Sequence, residues 1–297
     1  MTGNTRGLLD KQTWMSTTLD INNLKLTDIV WPGVHNAGMD KKSRNDDGVI
    51  GNWTVCQNDT FAWQLANGAR AFDIRLGYKA DSAGSGFYFH HNGFRSQRVL
   101  DDLVDALLLF LDRNPDEFIV LDFHQLGDGT KPFDHGRLND WLVRQLGQRA
   151  VLPGDGFRTV GELKSASRHR RVIIAAPALS DLDGQYFWPR IPHKWLDDTF
   201  SAPAELQRYI AQTLEAVPYE TSFLWSLSAT TYSLLGGPAN IKRQINDWFN
   251  TTAGWVTRCC IINTDFFDES EIVRYCWSAT SMKAVYGPAL HDQVHRR

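Results

Sequence analysis

The stretch SQRVLDDLVDALLLFLDRNPDEFIVLDF, residues 96–123, joins an amphipathic helical pattern directly to an apolar strand. Val99, Leu100, Leu103, Val104, Leu107, Leu108 and Leu111 keep the i, i+3, i+4 rhythm of a helix with one buried face, and Asn114-Pro115 stops it. A strand that is apolar on both faces, entered straight from a helix, belongs in a parallel sheet covered by helices. The rest of the chain repeats the theme. Strand patterns fall at 28–31, 71–76, 87–91, 118–124, 171–175, 222–227 and 260–264, with helical patterns at 60–66, 135–148, 203–216, 239–249 and 269–277. Parallel strands need crossover helices, so this order predicts an α/β chain folded as a single distorted (β/α) TIM-type barrel. One domain over 1–297 is expected, with 1–25 as an N-terminal segment packing on the barrel. An open doubly wound sheet is the alternative, although the glycine fingerprint of a dinucleotide fold is absent.

A barrel places its chemistry at the carboxyl ends of its strands. His35 follows the first strand in IVWPGVHNAGMD, Asp73 and Arg75 end the second, His90 and His91 the third, His124 the fourth and Asp265 the last. Alternation puts His90 and His91 on opposite faces, and spacing selects His91 as the one facing inward. Buried His, Asp and Arg are costly unless paired, so their collection at five strand ends points to a site.

Lys+Arg 31 against Asp+Glu 34 gives a net charge of -3, which excludes a global basic field for nucleic acid. No window reaches the roughly 20 apolar residues of a membrane span, and the N-terminus has no signal-peptide run. Cys56, Cys259, Cys260 and Cys276 lack paired metal spacing and read as free, buried thiols.

The motifs WPGVHNAG, GARAFDIRL, FYFHHNGF, DRNPDEFIVLDF and CCIINTDFFDESEIV, in this order, resemble the catalytic X-domain barrel of the phosphatidylinositol-specific phospholipases C, and more closely the bacterial, metal-independent type. The resemblance covers roughly residues 28–124 and 258–277. It implies cleavage of the glycerol-phosphate ester of phosphatidylinositol by intramolecular attack of the inositol 2-hydroxyl, giving diacylglycerol and a cyclic inositol phosphate. In that picture His35 is the general base with Asp265 behind it, and His91 is the general acid helped by Asp73. Arg75 stands where calcium-dependent relatives carry another acid. No cofactor is therefore expected, since calcium prefers several carboxylate or carbonyl oxygens. Asn36, His124 and Asp122 are expected to contact substrate. Asn36 replaces an aspartate, His124 a lysine, and Ala176-Pro177 an arginine that holds the inositol ring in bacterial members.

The resemblance also implies a secreted or extracellular monomer working on phospholipid at a membrane interface, while a cytoplasmic location stays open. In DGQYFWPRIPHKWLDD, too irregular for helix or strand, Trp188 and Trp195 are candidates for a rim that dips into lipid, with Trp53 as a second candidate. Rival readings are a metal-assisted barrel of the phospholipase D or glycerophosphodiesterase kind, which usually carries E-x-D after strand two, and a non-catalytic module that binds phosphoinositides. Taken singly, His35 would be a satisfied core histidine and Asp73 with Arg75 a structural ion pair, while His124 and Asp122, which share a face of the fourth strand, either line the pocket floor or are purely structural. The terminal HRR reads as a solvated tail.

Overall fold

The computed structural model describes residues 9–43, 51–80, 82, 84–196, 201–218, 221–233, 237–252 and 254–287. The expected C-terminal tail and the first eight residues lie outside them. Ten strands are found among the described residues: β1 Trp31–Val34, β2 Ala71–Tyr78, β3 Phe87–His91, β4 Phe94–Val99, β5 Ile119–Leu126, β6 Val172–Ala175, β7 Phe187–Trp188, β8 His193–Lys194, β9 Ser226–Ser228 and β10 Ile261–Thr264. They form one curled sheet: eight run in the order β7-β6-β5-β2-β1-β10-β9-β8, parallel throughout, while β3 and β4 lie off this path as an antiparallel pair attached to β2. The two ends of the order, β7 and β8, are short and separated by Pro189-Arg190-Ile191-Pro192. Two prolines in four residues remove the donors that a longer ladder would need.

The expected barrel is present, with boundary shifts that follow from packing. The first strand begins at Trp31, three residues later than its pattern suggests, because Asp28 instead closes a turn by accepting from the Lys25 backbone N–H. The segment read as irregular, residues 183–198, contributes both short strands within its described part, 183–196. The larger correction concerns the third strand. β3 runs antiparallel to β2 and pairs with β4, so residues 96–99 are strand where the period suggested helix. The helix starts at Leu100, where the Asp102 carboxylate accepts from the Val99 N–H at 3.0 Å, and it buries Leu100, Leu103, Val104, Leu107, Phe110 and Leu111. The last three residues of β2, Leu76–Tyr78, pair with β3, which returns His91 toward the mouth.

Within the ladder, Gly33 pairs with Ala71 and Asn263, and Asp73 with Asp122. A Cβ on Gly33 would fall 2.2 Å from Asn263 Oδ1, so only glycine fits there. The register shifts between Ile74 and Arg75, which leaves His124 as the extra residue opposite the bulge. At the other end of the barrel, buried Arg70 donates through Nε and Nη2 to Glu117 Oε2 at 2.9 and 2.8 Å. Arg70 Nη2 also reaches Gln12 O at 2.8 Å, and Glu117 Oε1 accepts from the Ser16 N–H at 2.8 Å. This ion pair fastens residues 12–16 to the barrel. No described helix is long and apolar enough to cross a membrane.

Candidate active site

His35 and His91 line one cavity of about 430 Å³ at the carboxyl mouth, together with Arg75, Thr54, Ser228, Thr231 and Tyr232. Their rings meet edge-on with centroids 6.2 Å apart. His35 sits just past β1, where its N–H continues the ladder to Thr264 O at 3.2 Å. Asn36 then takes a left-handed backbone with φ 46, and its N–H points at Asp73 Oδ2, 3.0 Å away.

The tautomer of His35 follows from its neighbours. Nδ1 is 2.7 Å from Asp265 Oδ1, and Nε2 is 3.0 Å from Arg75 Nη2. A guanidinium only donates, so Nε2 offers its lone pair and Nδ1 carries the proton to Asp265. Arg75 also grips Asp73, with Nη2 at 3.0 Å from Oδ2 and Nε at 3.4 Å from Oδ1. Burial works to raise the Asp73 carboxyl, yet Arg75, His124, His35 and His193 together hold it well below the usual carboxylate range.

His91 has different partners from those expected. Asp73 makes no hydrogen bond to it and serves Arg75 and Asn36 instead. The His91 Nδ1 lies 3.2 Å from Thr54 O, so it donates, and Nε2 then accepts from the Tyr232 hydroxyl at 2.8 Å. Burial, reinforced by His35 and Arg75, lowers the His91 pKa to about 3. Burial and the nearby Cys56 and Asp265 raise the Tyr232 phenol, which stays protonated. His90 faces away, its Nδ1 accepting from the Gly93 N–H at 3.3 Å.

The three expected substrate contacts, Asn36, His124 and Asp122, are not among the residues lining the cavity. Asn36 is buried behind His35, and neither of its side-chain polar atoms has a hydrogen-bond partner. Asp122 is taken by His193 from β8, with Oδ2 2.6 Å from Nε2. His124 stacks on His193 with centroids 3.8 Å apart, and burial lowers its pKa to about 3. The two aromatic rim candidates also part company. Trp188 donates its indole N–H to Val151 O at 2.7 Å and is half-buried against Gly156, whereas Trp195 is 54% exposed and lines the mouth. Trp53, 48% exposed, and Phe94, 40% exposed, stand on the same mouth. The four cysteines are free and buried, and Cys56 lies 3.9 Å from His91 Nδ1.

Tyr232, Cys56 and His193 escaped sequence reasoning. Each lies in or beside a loop with no local pattern, and only the closed sheet brings them beside the strand ends.

The curled parallel sheet is the fold of the bacterial phosphatidylinositol-specific phospholipases C. The enzyme from Listeria monocytogenes superposes with a TM-score of 0.67 at 17% identity, covering 91% of this chain and 98% of that one. A Staphylococcus aureus variant of the same name gives 0.63 at 17% identity, over 90% and 97% of the two chains. The chain belongs to the PI-PLC X domain-containing protein family. It is 32% identical to PI-PLC X domain-containing protein 2 of Mus musculus over 289 residues, 86% of this chain and 83% of that protein. The Homo sapiens protein of that name is 32% identical over 264 residues, covering 79% and 85%. No family model matches the chain. The expected bacterial type thus describes the fold, while these sequence relatives are mammalian.

Proposed function

We propose that the chain is a phosphatidylinositol phosphodiesterase of the phospholipase C kind, cleaving the glycerol-phosphate ester through attack by the inositol 2-hydroxyl. The observation that supports it is the polarisation of His35, with a carboxylate on Nδ1, a guanidinium on Nε2, and His91 sharing the cavity. Once Arg75 turns from it to the phosphate, the Nε2 lone pair of His35 is poised to take a hydroxyl proton, and Asp265 stabilises the imidazolium that forms. The hydroxyl oxygen then bonds to phosphorus, the glycerol oxygen leaves, and His91 supplies its proton. His91 is neutral in the free protein at neutral pH, so the bound phosphodiester anion must raise its proton affinity for this step. Arg75 transfers its hydrogen bond from Nε2 to a phosphoryl oxygen, where a fixed cation stabilises the developing charge. Once protonated on Nε2, His91 no longer accepts from the Tyr232 hydroxyl, and that nitrogen is released to the leaving oxygen while Thr54 O keeps hold of Nδ1.

We propose further that calcium is not required. The donor set fits it poorly: both Asp73 oxygens already hold Arg75, and Asp265 Oδ1 holds His35. Phosphorus NMR of the protein with phosphatidylinositol in mixed micelles tests both statements. A cyclic inositol phosphate signal in EDTA is the expected result. Turnover only after calcium or magnesium is added would refute the metal-free reading and restore the metal-assisted barrel. Lipid binding without turnover in either condition would mean a non-catalytic phosphoinositide module.

A further inference from the structure

The ligating atoms of His35, Cys56 and Asp265 lie within 4.8 Å of one another. They come from three separate parts of the chain: the turn after β1, the segment after the short helix Gly51–Thr54, and the end of β10. Imidazole, thiol and carboxylate are the donors of zinc chemistry rather than of calcium chemistry. Zinc bonds of about 2.0 to 2.3 Å set tetrahedral ligand separations of about 3.3 to 3.8 Å, so the set is near closure already. A second observation also points to a ligand. Asp265 Oδ2 has no hydrogen-bond partner although the side chain is only 2% exposed. His35 and the neighbouring Thr54 line the cavity, which gives an ion a way in from the mouth.

We propose that His35, Cys56 and Asp265 form an inhibitory binding site for zinc, or a borderline-soft divalent ion like it, at the root of the cavity. Three protein ligands leave the fourth position for water or a substrate phosphate oxygen. On binding, the Cys56 S–H bond breaks, a sulfur–zinc bond forms, and the proton leaves to solvent. His35 gives the lone pair of Nδ1 to the metal, the proton it keeps moves to Nε2, and Arg75 must then turn its N–H from Nε2 and keep to Asp73. A neutral imidazole has a single lone pair, so a metal-bound His35 has none left to take a hydroxyl proton. Zinc and base catalysis therefore exclude each other at this residue. The inhibition rests on the role proposed for His35, whereas the binding does not.

The test separates the two. Cobalt(II) titrated into the reduced protein should bind one to one and give a thiolate-to-cobalt charge-transfer band in the near ultraviolet. Cys56→Ala, or Cys56→Ser should the first variant fail to fold, should lose that band, and Cys276→Ala should keep it. In parallel, zinc should inhibit the parent reversibly by EDTA, and the inhibition constant should rise roughly tenfold or more in the Cys56 variant measured against its own rate. No band in the parent, or a band that survives in the Cys56 variant, overturns the site. A Cys56-dependent band with zinc-insensitive turnover overturns the inhibitory part. A Cys56-dependent band on a protein with no turnover supports the site while refuting the proposed function.

Discussion

Arg75 Nη2 lies 3.0 Å from His35 Nε2 and 3.0 Å from Asp73 Oδ2, so one guanidinium nitrogen bridges an imidazole lone pair and a buried carboxylate. Arg75→Ala removes both the cation and the constraint on the tautomer. Turnover should fall by roughly 10²- to 10³-fold while KM stays within a few fold, as expected for a group that acts mainly in the transition state. Arg75→Lys should recover only part, because a point charge cannot serve two acceptors in a fixed fork. Steady-state kinetics on short-chain substrate decides it; a KM effect with unchanged kcat would contradict the role.

Asp265→Asn presents an amide N–H to His35 Nδ1. The ring must then carry its proton on Nε2, which already faces the Arg75 donor at 3.0 Å. Two donors confront each other and the lone pair points the wrong way. Turnover should drop by roughly 10⁴-fold with little loss of substrate affinity.

His91 and His124 share a pH consequence. Burial holds both at about 3, below the ordinary value for histidine. At pH above about 6.5 neither the folded nor the unfolded chain protonates them, and their contribution to stability is complete. As pH falls from there toward about 3, the unfolded chain takes up protons that the folded chain refuses, so stability declines by up to about 1.4 kcal/mol per pH unit for each group. Urea midpoints measured from pH 7 to pH 4 should show this decline, and His124→Gln should make it shallower. A slope unchanged in that variant would mean that His124 is not held neutral.

Trp195, Trp53 and Phe94 stand around the mouth with large exposed faces. Trp195→Ala should weaken partitioning onto phosphatidylinositol vesicles by about 1 to 2 kcal/mol, roughly tenfold, and leave hydrolysis of a monomeric short-chain substrate nearly unchanged. Trp188→Ala, by contrast, should act on stability, since that indole is bonded to Val151 O. Vesicle sedimentation and thermal unfolding distinguish the two.

Glu117→Gln tests the clamp at the far end of the barrel. Buried Arg70 would lose its counter-charge, which costs about 3 to 5 kcal/mol in comparable pairs, with no effect on the mouth beyond that of global unfolding. Chemical denaturation reads the loss directly.

Helical period and apolar runs made most of the barrel legible in sequence. The helix Leu100–Arg113 ends where Asn114-Pro115 said it would, and strand-end position collected His35, Arg75 and His91 at one mouth, with Asp265 behind His35. Direction was not legible. FYFHH and FRSQRV carry strand composition whichever way they run, and QRV before LDDL also satisfies a helical period. Alternation put His90 and His91 on opposite faces and spacing selected His91, but parity gives a face and not a partner. It could not show that Tyr232 would hold His91 while Asp73 turned to Arg75. Nor could it reveal that His193, arriving on a two-residue strand, would claim Asp122.

The antiparallel excursion through β3 and β4 divides the site mechanically. His35, Arg75 and Asp265 hang on the barrel frame, where each strand is held by its neighbours on both sides, whereas His91 rides on an arm joined to that frame through the last three residues of β2. The distance between the His35 and His91 rings is thus set by hairpin length and by the Tyr232 and Thr54 contacts. On the proposed mechanism, lengthening or shortening the β3–β4 hairpin would retune where the departing oxygen is protonated, and so which leaving groups suit, without disturbing the frame that carries His35 and Arg75.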